Sequence, residues 1–252
     1  MVRRIPVSVE EAVPGGSTNA YVLGSPRVLV DPAAGPTRLD VDPGSIDHLV
    51  ATHAHPDHLG GMAAFARESG ATVWALTHHR DRFREATGLE PDRLVRDGEE
   101  IGLTSVSVLE TPGHAPEHLA LAYENDLVVG DLARASGSVM VGTPDGDMRA
   151  YLTTLRRLLL RDVDTAFPAH GPVIRSPQER FAALLAHRLD REARIEATVQ
   201  AGATTLAEIV DRAYEKDLSG LESAAERTVA AHLEKLAVES RVRWDGSTAG
   251  PL

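Results

Sequence analysis

The sequence predicts an α/β fold: one large domain over residues 1–176, followed by a small helical, winged-helix-like domain over residues 177–252. Three observations carry that expectation. Short apolar runs alternate with turns and helical stretches through the first part of the chain. Polar residues able to bind metal stand at the carboxyl ends of several of these runs, where an α/β scaffold assembles its site. After Ser176 the composition shifts to long helical patterns rich in Ala, Arg and Leu.

Ile5–Val9 reads as a strand and Pro14-Gly15-Gly16-Ser17 as a turn. Asn19–Leu23 and Val28–Val30 are strands on either side of a Gly24-Ser25-Pro26 turn. Ile46–Ala51 is a short apolar run ending at Thr52, the pattern of a buried strand. Met62–Ser69 is helical, Thr72–Leu76 strand-like and Thr77–Thr87 helix-like. Ser105–Leu109 runs into Thr111-Pro112-Gly113-His114. Leu119–Tyr123 and Leu127–Val129 make a hairpin across Glu124-Asn125-Asp126, and Asp131 ends its second strand. Met148–Leu160 has helical period, and Thr165–Phe167 is a strand leading to Pro168-Ala169-His170-Gly171. Helices at Gln178–Gln200, Leu206–Tyr214 and Leu221–Glu239, then a short strand at Arg241–Trp244, trace helix, helix and wing.

Composition narrows the function. The 252 residues are 42% hydrophobic and 25% charged, ordinary for a globular chain with a full core. No run of eighteen apolar residues predicts a membrane span, and no apolar stretch follows Arg3-Arg4 as in an export signal, so the cytoplasm is the expected compartment. There is no cysteine, which excludes disulfides, thiolate nucleophiles, Cys-ligated zinc and iron–sulfur clusters. Any metal site must be built from His and carboxylate. The formal charge is −11, and Lys216 and Lys235 are the only lysines. A GC-rich genome and adaptation to a salty cytoplasm both account for that balance. Either way the overall field repels nucleic acid.

The strongest signal is Thr52-His53-Ala54-His55-Pro56-Asp57-His58-Leu59-Gly60-Gly61. Three imidazoles and a carboxylate fall within six residues at a strand-to-helix turn, which can aim neighbouring side chains into one pocket. Imidazole suits zinc, and carboxylate neutralises its charge. His114, Asp131 and His170 each follow a short strand and complete a set of five histidines and two aspartates. His118, four residues after His114, is either a donor behind the ligands or a substrate contact; with Asp57 it makes up the catalytic candidates. His48 reads as a packing residue, His78 and His79 as surface, and His187 and His232 as structural or exposed.

This ordered set resembles the metallo-β-lactamase superfamily, with its HxHxDH turn, later His, later Asp and final His. The resemblance spans residues 1–175 and implies a four-layer αββα sandwich with two metals at one edge. By family pattern His53, His55 and His114 hold the first metal, Asp57, His58 and His170 the second, and Asp131 bridges them. Two Zn2+ are expected, with Mn2+ or Fe2+ as alternatives. Two metals with two aspartates and a hydroxide leave about one positive charge, enough to draw in an anionic substrate. The metal-bound hydroxide is the expected nucleophile near neutral pH.

The tail narrows the resemblance to the β-lactamase-like protein 2 group, which pairs this fold with a C-terminal winged-helix domain and has an endoribonuclease among its members. Gly171-Pro-Val-Ile, then His187-Arg188 and Arg191, then His232-Leu-Glu-Lys-Leu carry that likeness. Only 38 residues separate Asp131 from His170, too few for the inserted cap of the superfamily's larger nucleases. The implied activity is phosphodiester hydrolysis, with single-stranded RNA or a small anionic molecule as substrate; the alternative is a glyoxalase II-like thioester hydrolase. Glu222, Glu226, Glu234 and Glu239 against Arg227 and Lys235 on the would-be recognition helix argue against sequence-specific DNA binding. The tail is expected to wall the site or to make an oligomer contact, a homodimer being the simplest.

Overall fold

A computed structural model describes residues 1–10, 13–215 and 218–252; Lys216 lies outside the described residues. They group into two compact units. The first comprises Met1–Thr111, Glu117–Gly137 and Asp162–Arg180; the second comprises Pro112–Pro116, Ser138–Arg161 and Phe181–Leu252. The expected boundary near Ser176 therefore lies four residues ahead of the last crossover, and two earlier segments, one carrying His114, belong to the second unit.

The first unit contains, in chain order, β1 (Val2–Ser8), β2 (Ser17–Leu23), β3 (Val28–Val30), α1 (Pro36–Leu39), β4 (His48–Val50), α2 (Pro56–Leu59), α3 (Met62–Ser69), β5 (Thr72–Leu76), α4 (Arg80–Thr87), β6 (Arg93–Val95), β7 (Val106–Glu110), β8 (Leu119–Tyr123), β9 (Asp126–Gly130) and β10 (Thr165–Pro168). Six strands form one sheet in the order β1-β2-β3-β4-β5-β6, antiparallel through β3 and parallel beyond it. Four form a second sheet in the order β10-β9-β8-β7. There β10 runs parallel to β9, while β7, β8 and β9 form an antiparallel meander.

The central strands are apolar on both faces because both are covered. Leu29, Leu49, Val73 and Ala75 point one way, into a core with Leu39, Met62, Phe65 and Phe83 of the helices. Val28, Val30, Val50 and Leu76, their neighbours in the period-two pattern, point the other way. They meet Val106, Val108, Leu119, Leu121 and Val128 of the second sheet. Helices, sheet and sheet are thus three of the expected layers. The long helix expected over Thr77–Thr87 is a 3-10 turn at Thr77–His79 followed by α4. β6 escaped the sequence reading because two of its three residues, Arg93 and Leu94, are exposed and show no apolar alternation.

The second unit contains α5 (Met148–Leu159), most of α6 (Pro177–Gln200), α7 (Leu206–Ala213), α8 (Glu222–Val238), β11 (Arg243–Trp244) and β12 (Ala249–Gly250). Asp147 caps α5 by accepting the Ala150 N–H at 2.9 Å, and Thr205 and Glu208 form a capping box on α7. Ile195 and Val199 of α6, Ile209 and Val210 of α7, Val229, Leu233 and Leu236 of α8, and Val242 and Ala249 of the wing share one core. Helix, helix and β-wing are as the sequence suggested, with β12 supplying the wing's second strand.

One ion network crosses this core. Glu192 of α6, 3% exposed, accepts from Lys235 Nζ at 2.7 Å, His232 Nδ1 at 3.2 Å and Arg241 Nη1 at 3.3 Å. Removing the carboxylate leaves Lys235 buried beside Glu239 alone. Glu192→Ala should therefore lower unfolding stability by about 3–5 kcal/mol, read by urea denaturation at pH 7. Burial raises the Glu192 carboxyl, but His232 and Lys235 outweigh it and hold it below the usual range. A depressed carboxyl stabilises fully above its unfolded pKa and loses that contribution as pH falls through the folded value. The gap between wild type and variant should close on acidification below about pH 4.5. A pH-independent gap would contradict this account.

Candidate metal centre

The site is built at the carboxyl ends of parallel strands. β3 ends at Asp31, β4 at the loop carrying His53, His55, Asp57 and His58, β9 at Asp131 and β10 at His170. Backbone hydrogen bonds draw these ends together. The Asp31 N–H donates to Val50 at 3.1 Å, Leu119 to Thr52 at 2.8 Å, Ala169 to Gly130 at 3.0 Å and Asn19 to Ala169 at 2.7 Å. The last two bonds seat the His170 turn between β9 and β2. Asn19 Nδ2 adds bonds to the Pro168 and Gly171 carbonyls, on either side of His170.

The histidine loop makes a sharp turn that depends on close approach. Gly61 N–H donates to the Pro32 carbonyl at 2.6 Å, and a Cβ on Gly61 would collide with the Ala34 carbonyl oxygen. Gly61→Ala should push the loop off its seat, costing about 1–3 kcal/mol by overpacking and weakening metal binding. Thermal melting of the apoprotein and metal titration read the two effects.

Six of the seven expected ligands lie in the first unit and converge. Ligand atoms of His53, His58 and Asp131 lie within 4.8 Å of one another, as do those of Asp57, His58 and His170. His53 Nε2 and His55 Nδ1 are 2.9 Å apart. His170 Nε2 is 3.3 Å from Asp131 Oδ1 and 3.5 Å from Asp57 Oδ2. The seventh, His114, belongs to the second unit, where its Nδ1–H donates to the Met140 carbonyl at 2.7 Å.

The donor set fits metal ions by its supports as well as its members. Metal-binding imidazoles characteristically bond their second nitrogen to a carboxylate or carbonyl, fixing the tautomer. His58 Nδ1 bonds Asp31 Oδ2 at 2.9 Å, His170 Nδ1 bonds the Ser17 carbonyl at 3.0 Å, and His53 Nδ1 lies 3.1 Å from Thr52 Oγ1. His58 Nε2 is buried with no hydrogen-bond partner, facing Asp57 Oδ2 at 3.3 Å. Thr18 Oγ1 donates to the same Asp57 oxygen at 3.0 Å.

Electrostatics agree. Burial alone would lower both His58 and His170. Asp31, Asp57 and Asp131 outweigh it at His58, raising its pKa well above the ordinary value; Asp131 does the same at His170. Burial pushes Asp57 up, but the His58 imidazole facing it at 3.3 Å prevails and holds it below the usual carboxylate range. The negative field that favours protonated imidazoles here is the field a divalent cation would meet.

Asp31 is the functional residue that sequence reasoning missed. It is fully buried at φ 49°, and its carboxylate accepts the Thr52 N–H at 2.7 Å, Thr52 Oγ1–H at 2.8 Å and His58 Nδ1–H. Its signal was present: an acid closing the apolar run Val28–Val30, the same setting as Asp131 after β9. Glu117 was also missed; it is buried, accepts the Ala54 N–H at 3.0 Å between two ligands and pairs with Arg82 at 2.6 Å.

His118 is bonded at both ring nitrogens. It is fully buried, its Nδ1 bonds Thr111 Oγ1 at 2.8 Å, and its Nε2 accepts the Asp131 N–H at 3.1 Å. Through the second of these bonds it supports the backbone of Asp131. His48 accepts from Trp74 Nε1 at 3.2 Å as a packing residue, His78 and His187 are exposed, and His232 is buried in the Glu192 network.

Comparison with known proteins agrees with this geometry. Residues 13–170 match the metallo-beta-lactamase superfamily model, and residues 205–250 match the beta-lactamase associated winged helix domain. The Caenorhabditis elegans beta-lactamase-like protein 2 homolog is 27% identical over 197 residues, covering 71% of this chain and 64% of that protein. The thioesterase pkgB of Emericella nidulans is 29% identical over 193 residues, 71% of this chain and 53% of that one. The chain thus spans less than two thirds of the length of both relatives. Among solved structures, the metallo-beta-lactamase family protein TTHA1429 from Thermus thermophilus superposes with TM-score 0.79 at 23% identity, covering 100% of this chain and 98% of that one. TTHA1623, solved in a di-iron-bound form, gives TM-score 0.55 at 27% identity over 69% of this chain and 96% of that one. Fold, ligand loops and family matches agree: this chain belongs to the metallo-beta-lactamase superfamily and carries a beta-lactamase associated winged helix domain near its C-terminal end.

Proposed function

We propose that the chain is a two-metal hydrolase that cleaves phosphodiesters, single-stranded RNA being the leading substrate class and a small anionic ester the other. The observation that carries this reading is the set of converging donors, in which His58 belongs to two groups at once. His53, His55 and His114 would hold one ion, Asp57, His58 and His170 the other, with Asp131 between them. Zinc is the leading ion, since nitrogen and carboxylate oxygen without sulfur suit it; iron or manganese are the alternatives, and the di-iron form of TTHA1623 supports testing iron first among them. Bound there, two divalent ions would supply Lewis-acid polarisation and acidify water to near neutrality.

The chain's own groups do the rest. Asp57, held ionised by His58 and by Thr18, accepts a hydrogen bond from the attacking water and orients its lone pair. Asp31, Ser17 and Thr52 lock the imidazole tautomers, and His118 fixes the backbone of Asp131.

The phosphodiester reading rests on the resemblance to the β-lactamase-like protein 2 group, whereas the likeness to pkgB, a thioesterase, favours thioester hydrolysis as the second. Mass-spectrometric metal content, followed by bis(p-nitrophenyl) phosphate, labelled single-stranded RNA and S-lactoylglutathione on the same metal-loaded preparation, separates them. Turnover of the thioester alone would overturn the first reading; one bound iron per chain would overturn the two-metal site.

Duplex DNA is not a partner in this reading. Lys235 is buried in the Glu192 network and Arg227 bonds the Thr143 carbonyl, while Glu222 and Glu234 are exposed on α8. A gel shift with duplex DNA tests this. Among the described residues no helix is long and apolar enough to cross a membrane. Cytoplasmic residence and homodimer formation belong to the proposal, with fractionation and light scattering as their tests.

A further inference from the structure

Arg188 of α6 is a buried cation without an acid. It is 4% exposed, and no carboxylate among the described residues pairs with it. Its Nη2 donates to the Val139 carbonyl, its Cζ lies 5.7 Å from the Tyr151 ring centroid, and its Nε has no partner. Burial pushes the guanidinium below its ordinary value while Tyr151 and Tyr214 oppose the shift; an arginine stays charged regardless. An unpaired buried charge is costly, and an apolar side chain of similar volume would be more stable. The position therefore asks for a role other than packing.

The hydrogen bonds on either side of Val139 point to that role. Val139 and Met140 belong to no helix or strand, so side chains must fix their backbone. The Val139 carbonyl accepts from Arg188; the next carbonyl, Met140, accepts from His114 Nδ1 at 2.7 Å. One peptide unit thus separates the guanidinium's anchor from the imidazole's. Other bonds hold the His114 loop by its backbone: Thr154 Oγ1 donates to the Pro112 carbonyl at 2.9 Å, and the Asp147 N–H to the Gly113 carbonyl at 2.8 Å. A Cβ on Gly113 would collide with Tyr151, the residue beneath Arg188. The Met140 carbonyl is the group that sets the imidazole's own tautomer and direction.

We infer that Arg188 is a positioning residue for the metal centre: by pinning Val139–Met140 it orients His114, so that the C-terminal helix α6 governs how tightly the ion held by His114 is bound. This rests on the proposed ligand role of His114.

The test is metal stoichiometry and competition against a chromogenic chelator, on the full chain, for wild type, Arg188→Met, Arg188→Lys, His114→Ala and Leu233→Ala. Arg188→Met should weaken one of two ions by about 10–100-fold, as loss of a ligand's support does, and leave the other unchanged. Arg188→Lys keeps the charge without the planar fork, so it should fall between; it also provides the readout if Arg188→Met does not fold. Leu233→Ala opens a cavity in the winged-helix core and should lower the melting temperature with wild-type metal affinity. Two ions bound at wild-type affinity in both Arg188 variants, or equal metal loss in Leu233→Ala, would overturn the inference. Full metal content in His114→Ala would instead sink the ligand assignment on which it stands.

Discussion

Asp57→Asn should lower kcat by about 10²–10⁴-fold, the range for loss of a positioned base, with the melting temperature of the protein nearly unchanged. The reason lies in what surrounds the carboxylate. Oδ2 receives Thr18 Oγ1–H at 3.0 Å and lies 3.3 Å from His58 Nε2 and 3.5 Å from His170 Nε2. The isosteric amide fills the same space, so packing survives. It lacks the negative charge that would neutralise an ion, and it offers water one acceptor oxygen in place of two. Steady-state kinetics on the best substrate of the panel, at fixed metal loading, measure the effect. Activity within tenfold of wild type would remove Asp57 from the reaction.

Asp31→Ala should be the most damaging single change for stability and metal binding together. Three buried donors lose their acceptor at once: the Thr52 N–H, the Thr52 hydroxyl and His58 Nδ1–H. Each unsatisfied buried group costs about 1–3 kcal/mol, so the sum rivals the stability of an ordinary domain. His58 is shared by two donor groups, so freeing its ring should weaken metal binding by about 10–100-fold at least. Asp31→Asn, which retains one acceptor oxygen for the Thr52 N–H, should recover part of the stability and little of the metal affinity. Equal recovery of both would mean that Asp31 acts through packing and not through His58.

How much of this was legible beforehand differs from residue to residue. β3, β5, β8 and α3 match their expected spans residue for residue, because apolar runs between clear turn residues leave little ambiguity. β6 was invisible, since an exposed edge strand carries no apolar pattern. The loop His53–His58 announced its chemistry by density of ligand types alone. Asp31 did not, because a single acid after a strand looks like any turn residue until its carboxylate is seen between Thr52 and His58. His118 and His114, four residues apart, are the same residue type in different settings: one is bonded to Thr111 and to the Asp131 backbone, while the other has its tautomer set by a carbonyl 26 residues away.

Local order along the chain determined which atoms could bind a cation, since ligand chemistry and the strand-to-helix turn at His53–Gly61 are properties of neighbouring residues. It also excluded sulfur ligation outright, because no cysteine exists. Tertiary structure decided which histidines of the first unit converge, and which ring nitrogens are held by the protein's own acceptors. Those choices rest on acceptors supplied from distant segments: Asp31 to His58 and Ser17 to His170. Hydrogen bonds between residues more than a hundred positions apart, as from His170 to Ser17, become favourable only once two sheets have buried their common face and brought the loops together.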